Sequence, residues 1–213
     1  MTKKAIFFDL DGTLTDSGEG IINCAILALE HYGLPVPSRE EMRVFVGPPL
    51  DQTFIKFGVP EEKAKEAIDV FRSRYLVKGK FENFPYPGIH DVLKTLKEQG
   101  HRLFVATSKP EETALEVMDK FELSQYFEQI VGATFDGTRS HKADVIAYLL
   151  KQLPDIASVV MVGDTAFDVI GAAAHNIPTI GVSWGYGTEE DMEKAGAKAI
   201  AHSMEELLTL LNQ

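Results

Sequence analysis

Basic side chains are in short supply here, cysteine is nearly absent, and no long apolar run occurs. The 213 residues carry 21 lysines and arginines against 32 aspartates and glutamates, a formal net charge of −11. Such a surface repels polyanions, which argues against a nucleic-acid polymer as partner, and any anionic substrate would have to meet local positive charge. The single cysteine, Cys24, cannot form an internal disulfide. No stretch approaches the roughly 20 apolar residues of a membrane span. The apolar run Ala5 to Phe8 is interrupted by Asp9, so the N-terminus does not read as a signal peptide. The expectation is a cytoplasmic protein with no membrane partner, a monomer by default. Repeats and low-complexity segments are also lacking, and the length suits one large domain or a domain with a modest insertion.

What is present is alternation. Lys4-Ala5-Ile6-Phe7-Phe8 is short, apolar and followed at once by Asp-Gly turn chemistry, as a fully buried strand should be. Similar runs return at Arg102–Ala106, Gln129–Val131, Ser158–Val162 and Thr179–Val182. Helical periodicity separates them over Ile89–Gln99, Glu111–Phe121, Ala143–Leu153 and Ala166–His175. This order predicts an α/β fold, a doubly wound parallel sheet with helices on both faces, whose ligands bind at the carboxyl ends of the strands. Between about Asp16 and Phe84 the alternation stops. Apolar residues there recur at three or four residues (Ile22, Ile26, Leu29; Leu50, Phe54, Phe57; Ile68, Phe71, Tyr75), which predicts an inserted, wholly helical domain. The expected organisation is a core of residues 1–15 and 85–213 and a helical insertion of 16–84, hinged at Thr15–Gly18 and at Asn83-Phe84-Pro85-Tyr86-Pro87-Gly88.

Four short motifs fall at the ends of expected strands. In Asp9-Leu10-Asp11-Gly12-Thr13, two carboxylates lie two apart where the first strand breaks into a glycine loop. Asp9 is placed to attack phosphorus, and Asp11 to protonate the departing alkoxide and later deprotonate water. Thr107, followed by Ser108-Lys109-Pro110, offers a hydroxyl and backbone N–H groups to a phosphate oxygen, although a threonine between strand and helix is often only an N-cap. Lys142, in Ser140-His141-Lys142-Ala143-Asp144, would neutralise both the transferring phosphoryl group and Asp9. Gly163-Asp164-Thr165-Ala166-Phe167-Asp168 puts two carboxylates four apart on one face of a helix start. Their hard oxygens suit Mg2+, with Asp9 and Asp164 as direct ligands and Asp168 as an outer one. Nucleophile, acid/base, phosphate clamp and metal site together make up what phosphoryl transfer requires.

In this order the motifs resemble those of the haloacid dehalogenase-like hydrolase superfamily, over essentially the whole chain, and the helical insertion after the first motif resembles that superfamily's C1 cap. The phosphoglycolate phosphatase-like branch is the most similar. The resemblance implies a magnesium-dependent phosphatase that passes through an aspartyl-phosphate on Asp9, with the carbonyl of Asp11 as a further metal ligand. Two departures stand out: alanine follows Lys142 where many relatives have proline, and the fourth motif opens with Gly163 and not with an acid. Dehalogenases and phosphonate hydrolases of the superfamily lack the acid corresponding to Asp11. A mutase of the β-phosphoglucomutase type would carry a histidine where this chain has Glu19-Gly20-Ile21-Ile22. That mutase and a non-catalytic phospho-binding regulator are the alternatives. A phospho-receiver domain fails on order, because its phosphorylated aspartate lies on a middle strand.

The substrate reads less clearly. Arg43 and Lys56 flank Val46-Gly47-Pro48-Pro49-Leu50, a rigid loop suited to reading a leaving group. Phosphoglycolate would require such a positive contact; a nucleoside 5'-monophosphate would require an aromatic platform, for which Phe45, Phe54 and Phe57 are candidates unless they form the core of the insertion. Trp184 and Tyr186, in a glycine-bracketed loop, are candidates for the pocket border.

Overall fold

In the computed structural model, which describes residues 4–156 and 158–213, the elements follow in chain order. They are β1 (Ala5–Phe8), β2 (Thr15–Asp16), α1 (Gly18–His31), α2 (Leu50–Lys56), α3 (Ala64–Tyr75), β3 (Phe84–Pro85), α4 (Ile89–Glu98), β4 (Arg102–Pro110), α5 (Glu111–Lys120), β5 (Gln129–Ala133), α6 (Lys142–Lys151), β6 (Val159–Gly163), α7 (Ala166–Ala173), β7 (Thr179–Val182), α8 (Glu189–Ala195), β8 (Ala199–Ala201) and α9 (Met204–Leu211). Two compact units result: Met1–Thr15 with Pro85–Gln213, and Asp16–Phe84. The chain passes between them at β2 and β3, which pair as a two-stranded sheet.

The first unit is built on a six-stranded sheet in the order β5-β4-β1-β6-β7-β8, parallel at every described pairing. Its central strands read as unbroken apolar runs because both faces are covered. Ile6 and Phe8 turn to one side and pack with Ile89, Leu93, Val117 and Leu207 from α4, α5 and α9. Ala5 and Phe7 turn to the other and pack with Val145, Ile146, Leu149 and Ala172 from α6 and α7. Register then aligns the strand ends. Phe8 pairs with Val105 on β4 and with Val162 on β6, so Asp9, Ala106 and Gly163 follow at one level and Asp164 comes next. With neighbouring strands about 4.8 Å apart, residues distant in sequence meet at one edge.

β4 runs four residues beyond its expected end at Ala106. Its register against β5 shifts between Ala106 and Pro110, and the following helix begins only at Glu111. Thr107 therefore lies within a strand and is not a helix N-cap. β8, α8 and α9 complete the sheet edge and its cover beyond the elements expected from periodicity.

The Asp16–Phe84 unit holds three α-helices and short 3-10 turns, and is not helical throughout. Gly33, at φ +63°, ends the turn after α1, and residues 34–38 (Leu-Pro-Val-Pro-Ser) adopt no regular structure. Its centre is aromatic. Ring centroids lie 5.1 Å apart for Phe45–Phe54, 4.9 Å for Phe45–Phe57 and 5.1 Å for Phe71–Tyr75. Phe45 and Phe54 are fully buried, so they form the core of this unit and do not present a platform to a base. At its margin Arg74 grips Glu82 with two parallel bonds of 2.7 and 2.8 Å. No helix among the described residues is long and apolar enough to cross a membrane.

Candidate active site

Asp9 leaves the end of β1 with its N–H bonded to Val162 O (2.9 Å), so the sheet itself sets the direction of its side chain. Beyond it the chain turns back within the Leu10–Thr15 loop, where the N–H groups of Leu14 and Thr15 both donate to Leu10 O. Gly12 makes this turn possible. Its φ is +86°, and a Cβ there would come within 2.1 Å of Asp164 Oδ2.

Lys142, the first residue of α6, is buried and ties three segments together. Its Nζ lies 2.7 Å from Asp9 Oδ1 and 2.8 Å from Asp168 Oδ1, and donates to Ala106 O at 2.9 Å. The ammonium thus faces two carboxylates and one backbone carbonyl. Asp168 is equally committed. Its Oδ2 accepts from the N–H (3.0 Å) and hydroxyl (2.9 Å) of Thr165, the N-cap of α7, while Oδ1 faces Lys142. Thr165 thus caps α7. The glycine that opens this motif also has a steric reason: a Cβ on Gly163 would sit 2.3 Å from Asp168 Cγ, so an acid at this position would displace Asp168.

Asp164, wholly buried, is fixed from two loops. Thr13 Oγ1 donates to its Oδ1 (2.9 Å) and Tyr186 N to its Oδ2 (2.8 Å). Trp184 reinforces the clasp by donating from Nε1 to Thr13 O at 3.2 Å, so these loop residues hold the acid loops together. Asp11, the fourth carboxylate, turns to Lys109, whose Nζ lies 2.9 Å from each of its oxygens. Thr107 is buried beside them in β4, its Oγ1 accepting from Lys109 N (3.2 Å), and Ser108 lies half-buried between the two.

The charges do not balance. Asp9, Asp164 and Asp168 offer oxygens that all lie within 4.8 Å of one another, and Lys142 is the cation set among them. With all three acids ionised, three carboxylates and one ammonium would leave two negative charges in a buried site. Burial above all, with the nearby charges of Asp168 and Asp11, pushes the Asp9 carboxyl up to about 6 against the pull of Lys142. Burial, then the charges of Asp168 and Asp9, raise Asp164 well above the usual carboxylate range. For Lys142 burial alone would lower the ammonium, but Asp168 and Asp9 outweigh it and hold it above its ordinary value. A surplus of two charges carried by hard oxygens fits a hard divalent cation. Asp9, Asp164 and Asp168 each offer an oxygen to such an ion.

Asp9, Lys142, Asp164 and Asp168 thus meet at one point, with Asp11 and Thr107 held on adjoining segments. Arg43 and Lys56 belong to the Asp16–Phe84 unit: Arg43 is half-buried, its Nε 3.7 Å from Glu40 Oε1, and Lys56 is exposed in the last turn of α2. Sequence reasoning overlooked Lys109, Thr13 and the backbone N–H of Tyr186. Thr13 left a trace as the last residue of the first motif, and Lys109 as a lysine two residues beyond Thr107 and so on the same side of an extended strand.

The profile of the haloacid dehalogenase-like hydrolases matches residues 6–182. Among relatives, the tyrosine-protein kinase PtkA of Mycobacterium tuberculosis is 44% identical over 94% of this chain and 69% of its own length. A 5'-nucleotidase of Pseudomonas aeruginosa is 40% identical over 88% of this chain and 86% of its own. The crystal structure of a predicted phosphatase from Clostridium acetobutylicum superposes with a TM-score of 0.94 at 41% identity, covering 100% of this chain and 99% of the other. A profile match across most of the chain, on the fold and around the acids just described, makes this chain a member of the haloacid dehalogenase-like hydrolase family.

Proposed function

We propose that this chain is a magnesium-dependent phosphatase that hydrolyses a small, soluble phosphomonoester through an aspartyl-phosphate on Asp9. The observation that carries the reading is the buried Asp9 carboxylate, held at the end of β1 by Lys142 within a site where three buried acids share one ammonium. An isolated ion pair would have no use for the further acids, whereas a phosphoryl-transfer site with its metal would.

A carboxylate oxygen of Asp9 attacks phosphorus, the bond from phosphorus to the ester oxygen breaks, and the Asp11 carboxyl gives its proton to the departing alkoxide. Water then attacks phosphorus, Asp11 takes up its proton, and the bond to Asp9 breaks, regenerating the carboxylate and releasing phosphate. Lys142 keeps Asp9 aimed and its charge offset, and Thr107, with Ser108 beside it, supplies donors to the phosphoryl oxygens. Magnesium, held by Asp9, Asp164 and the Asp11 carbonyl, would contribute neutralisation of the charge that develops on the phosphoryl oxygens.

Substrate choice we assign to the Asp16–Phe84 unit in the role of a cap, with Arg43 and Lys56 as the residues to vary. The likeness to the Pseudomonas 5'-nucleotidase supports a nucleoside 5'-monophosphate. The buried state of Phe45 and Phe54 removes two of the platforms such a base would use, and keeps phosphoglycolate as the competing substrate. The test is phosphate release from nucleoside monophosphates, phosphoglycolate, sugar phosphates and an aryl phosphate, each with magnesium and with chelator. ATP with a tyrosine peptide is included because of the name PtkA carries. Magnesium-dependent release from a monoester is the expected result; phosphotransfer to tyrosine without hydrolysis of any monoester would replace the reading.

A further inference from the structure

Lys109 has no task in the chemistry above, yet its side chain is only 3% exposed. A lysine is rarely buried to this degree unless it is paired. β4 presents it on the same side as Thr107, and its backbone N–H bonds to the Thr107 hydroxyl. Its ammonium spans 98 residues of sequence to sit between the two oxygens of Asp11, 2.9 Å from each. The equal spacing matters. The last torsion of an aspartate is broad, so a carboxylate held by one oxygen can still rotate; a cation seated between both oxygens restrains the plane as well as the position. Asp11 is also the acid whose effectiveness depends on meeting an ester oxygen within hydrogen-bond reach. The other functional carboxylates each have comparable support: Asp9 and Asp168 from Lys142, Asp164 from Thr13 and Tyr186.

We infer that Lys109 is the positioning residue for Asp11: it holds the acid/base carboxylate in place beside Asp9, and its effect on the reaction passes through Asp11. This rests on the phosphatase reading and on the role given there to Asp11. It distinguishes Lys109 from Lys142, which faces the nucleophile.

The consequence is a dependence on the leaving group. An alkoxide needs a proton to depart, whereas nitrophenolate leaves without one, and kcat/KM reports the steps through departure. The experiment compares wild type, K109M, K109R, D11N and the K109M/D11N double variant. Each is assayed with magnesium on p-nitrophenyl phosphate and on the best alkyl phosphate of the panel, with folding checked by thermal melting. K109M should lose roughly 10- to 100-fold more kcat/KM on the alkyl than on the aryl ester. K109R should recover part of that difference, and the double variant should be no slower than D11N. Equal losses on the two esters, or losses that multiply in the double variant, would overturn the inference and make Lys109 a phosphate-binding or purely structural residue. Should K109M fail to fold, K109R decides by the same criterion, a larger loss on the alkyl ester supporting the role and equal losses ending it. Failure of the phosphatase reading looks different: wild type would hydrolyse neither ester, and the role of Lys109 would fall with it.

Discussion

In the α/β unit Asp9, Asp11, Asp164 and Asp168 are drawn together with Lys109 and Lys142 at the end of the sheet, whereas the Asp16–Phe84 unit reserves its centre for Phe45, Phe54, Phe71 and Tyr75 and keeps Arg74–Glu82 at its part-buried margin. The aromatic centre lowers the free energy of folding directly, by removing apolar surface from water. The charged cluster does the reverse, because desolvating like charges costs more than Lys142 returns. A fold keeps such an arrangement where a ligand or a reaction compensates for it. The contrast locates the chemistry in the α/β unit without reference to any relative.

The contrast can be broken at either end. The largest effect expected is on activity, from Asp9→Asn, which removes the nucleophile and should reduce kcat by more than about 10³-fold. Because it also removes one of three crowded negative charges, the melting temperature without metal should stay level or rise, and a fall would mean that Asp9 is structural. Lys142→Met strips the cation from between Asp9 and Asp168 and should cost about 3–5 kcal/mol in denaturant unfolding as well as abolish turnover. Phe54→Ala, in the other unit, should cost about 3–5 kcal/mol through the cavity it leaves. If the two units melt separately, calorimetry should show that loss in only one transition.

Acidity sharpens the same comparison. Asp9 is raised from 3.8 to about 6, so its contribution to stability is complete below 3.8 and is lost as pH rises through 6. Magnesium should therefore raise the melting temperature more at pH 7.5 than at pH 5; an equal shift at both would mean the cation binds elsewhere. Glu82 runs the opposite way. Held by Arg74, it is lowered from 4.5 to about 2, and its contribution is complete above 4.5 and fades as pH falls through 2. Glu82→Gln, the smallest effect expected, should cost about 1 kcal/mol at pH 7, a difference that shrinks in acid as the wild-type carboxylate takes up its proton.

The parts of the fold that were legible in the sequence are those whose burial is complete. β1 and the core of β4 have both faces covered, so every residue is apolar and the run stands out. β8 is three residues at the edge, Ala199-Ile200-Ala201, too short to show a pattern. The extension of β4 to Pro110 was hidden by the polar run Thr107-Ser108-Lys109, in which the buried Thr107 and Lys109 are held by one another and by Asp11. In the Asp16–Phe84 unit the spacing of Ile22, Phe54 and Phe71 announced helices, but Pro35 and Pro37 marked the break that the pattern of apolar residues ignored.

The site divides in the same manner. Asp9, Asp11, Thr107, Lys142, Asp164 and Asp168 could be named from local spacing, because each motif concerns a few neighbouring residues at the end of one strand. Their support could not: Thr13 meets Asp164 across 151 residues, Lys109 meets Asp11 across 98, and Tyr186 contributes a backbone N–H that any non-proline residue would carry. The sequence by itself thus determined which chemical groups are available and the strand ends that present them, since these follow from local periodicity and turn chemistry. The tertiary structure alone decided which carboxylate each cation serves and that three buried acids share one ammonium, because ion pairing depends on strand register and on the depth of burial, and neither exists until the sheet has closed.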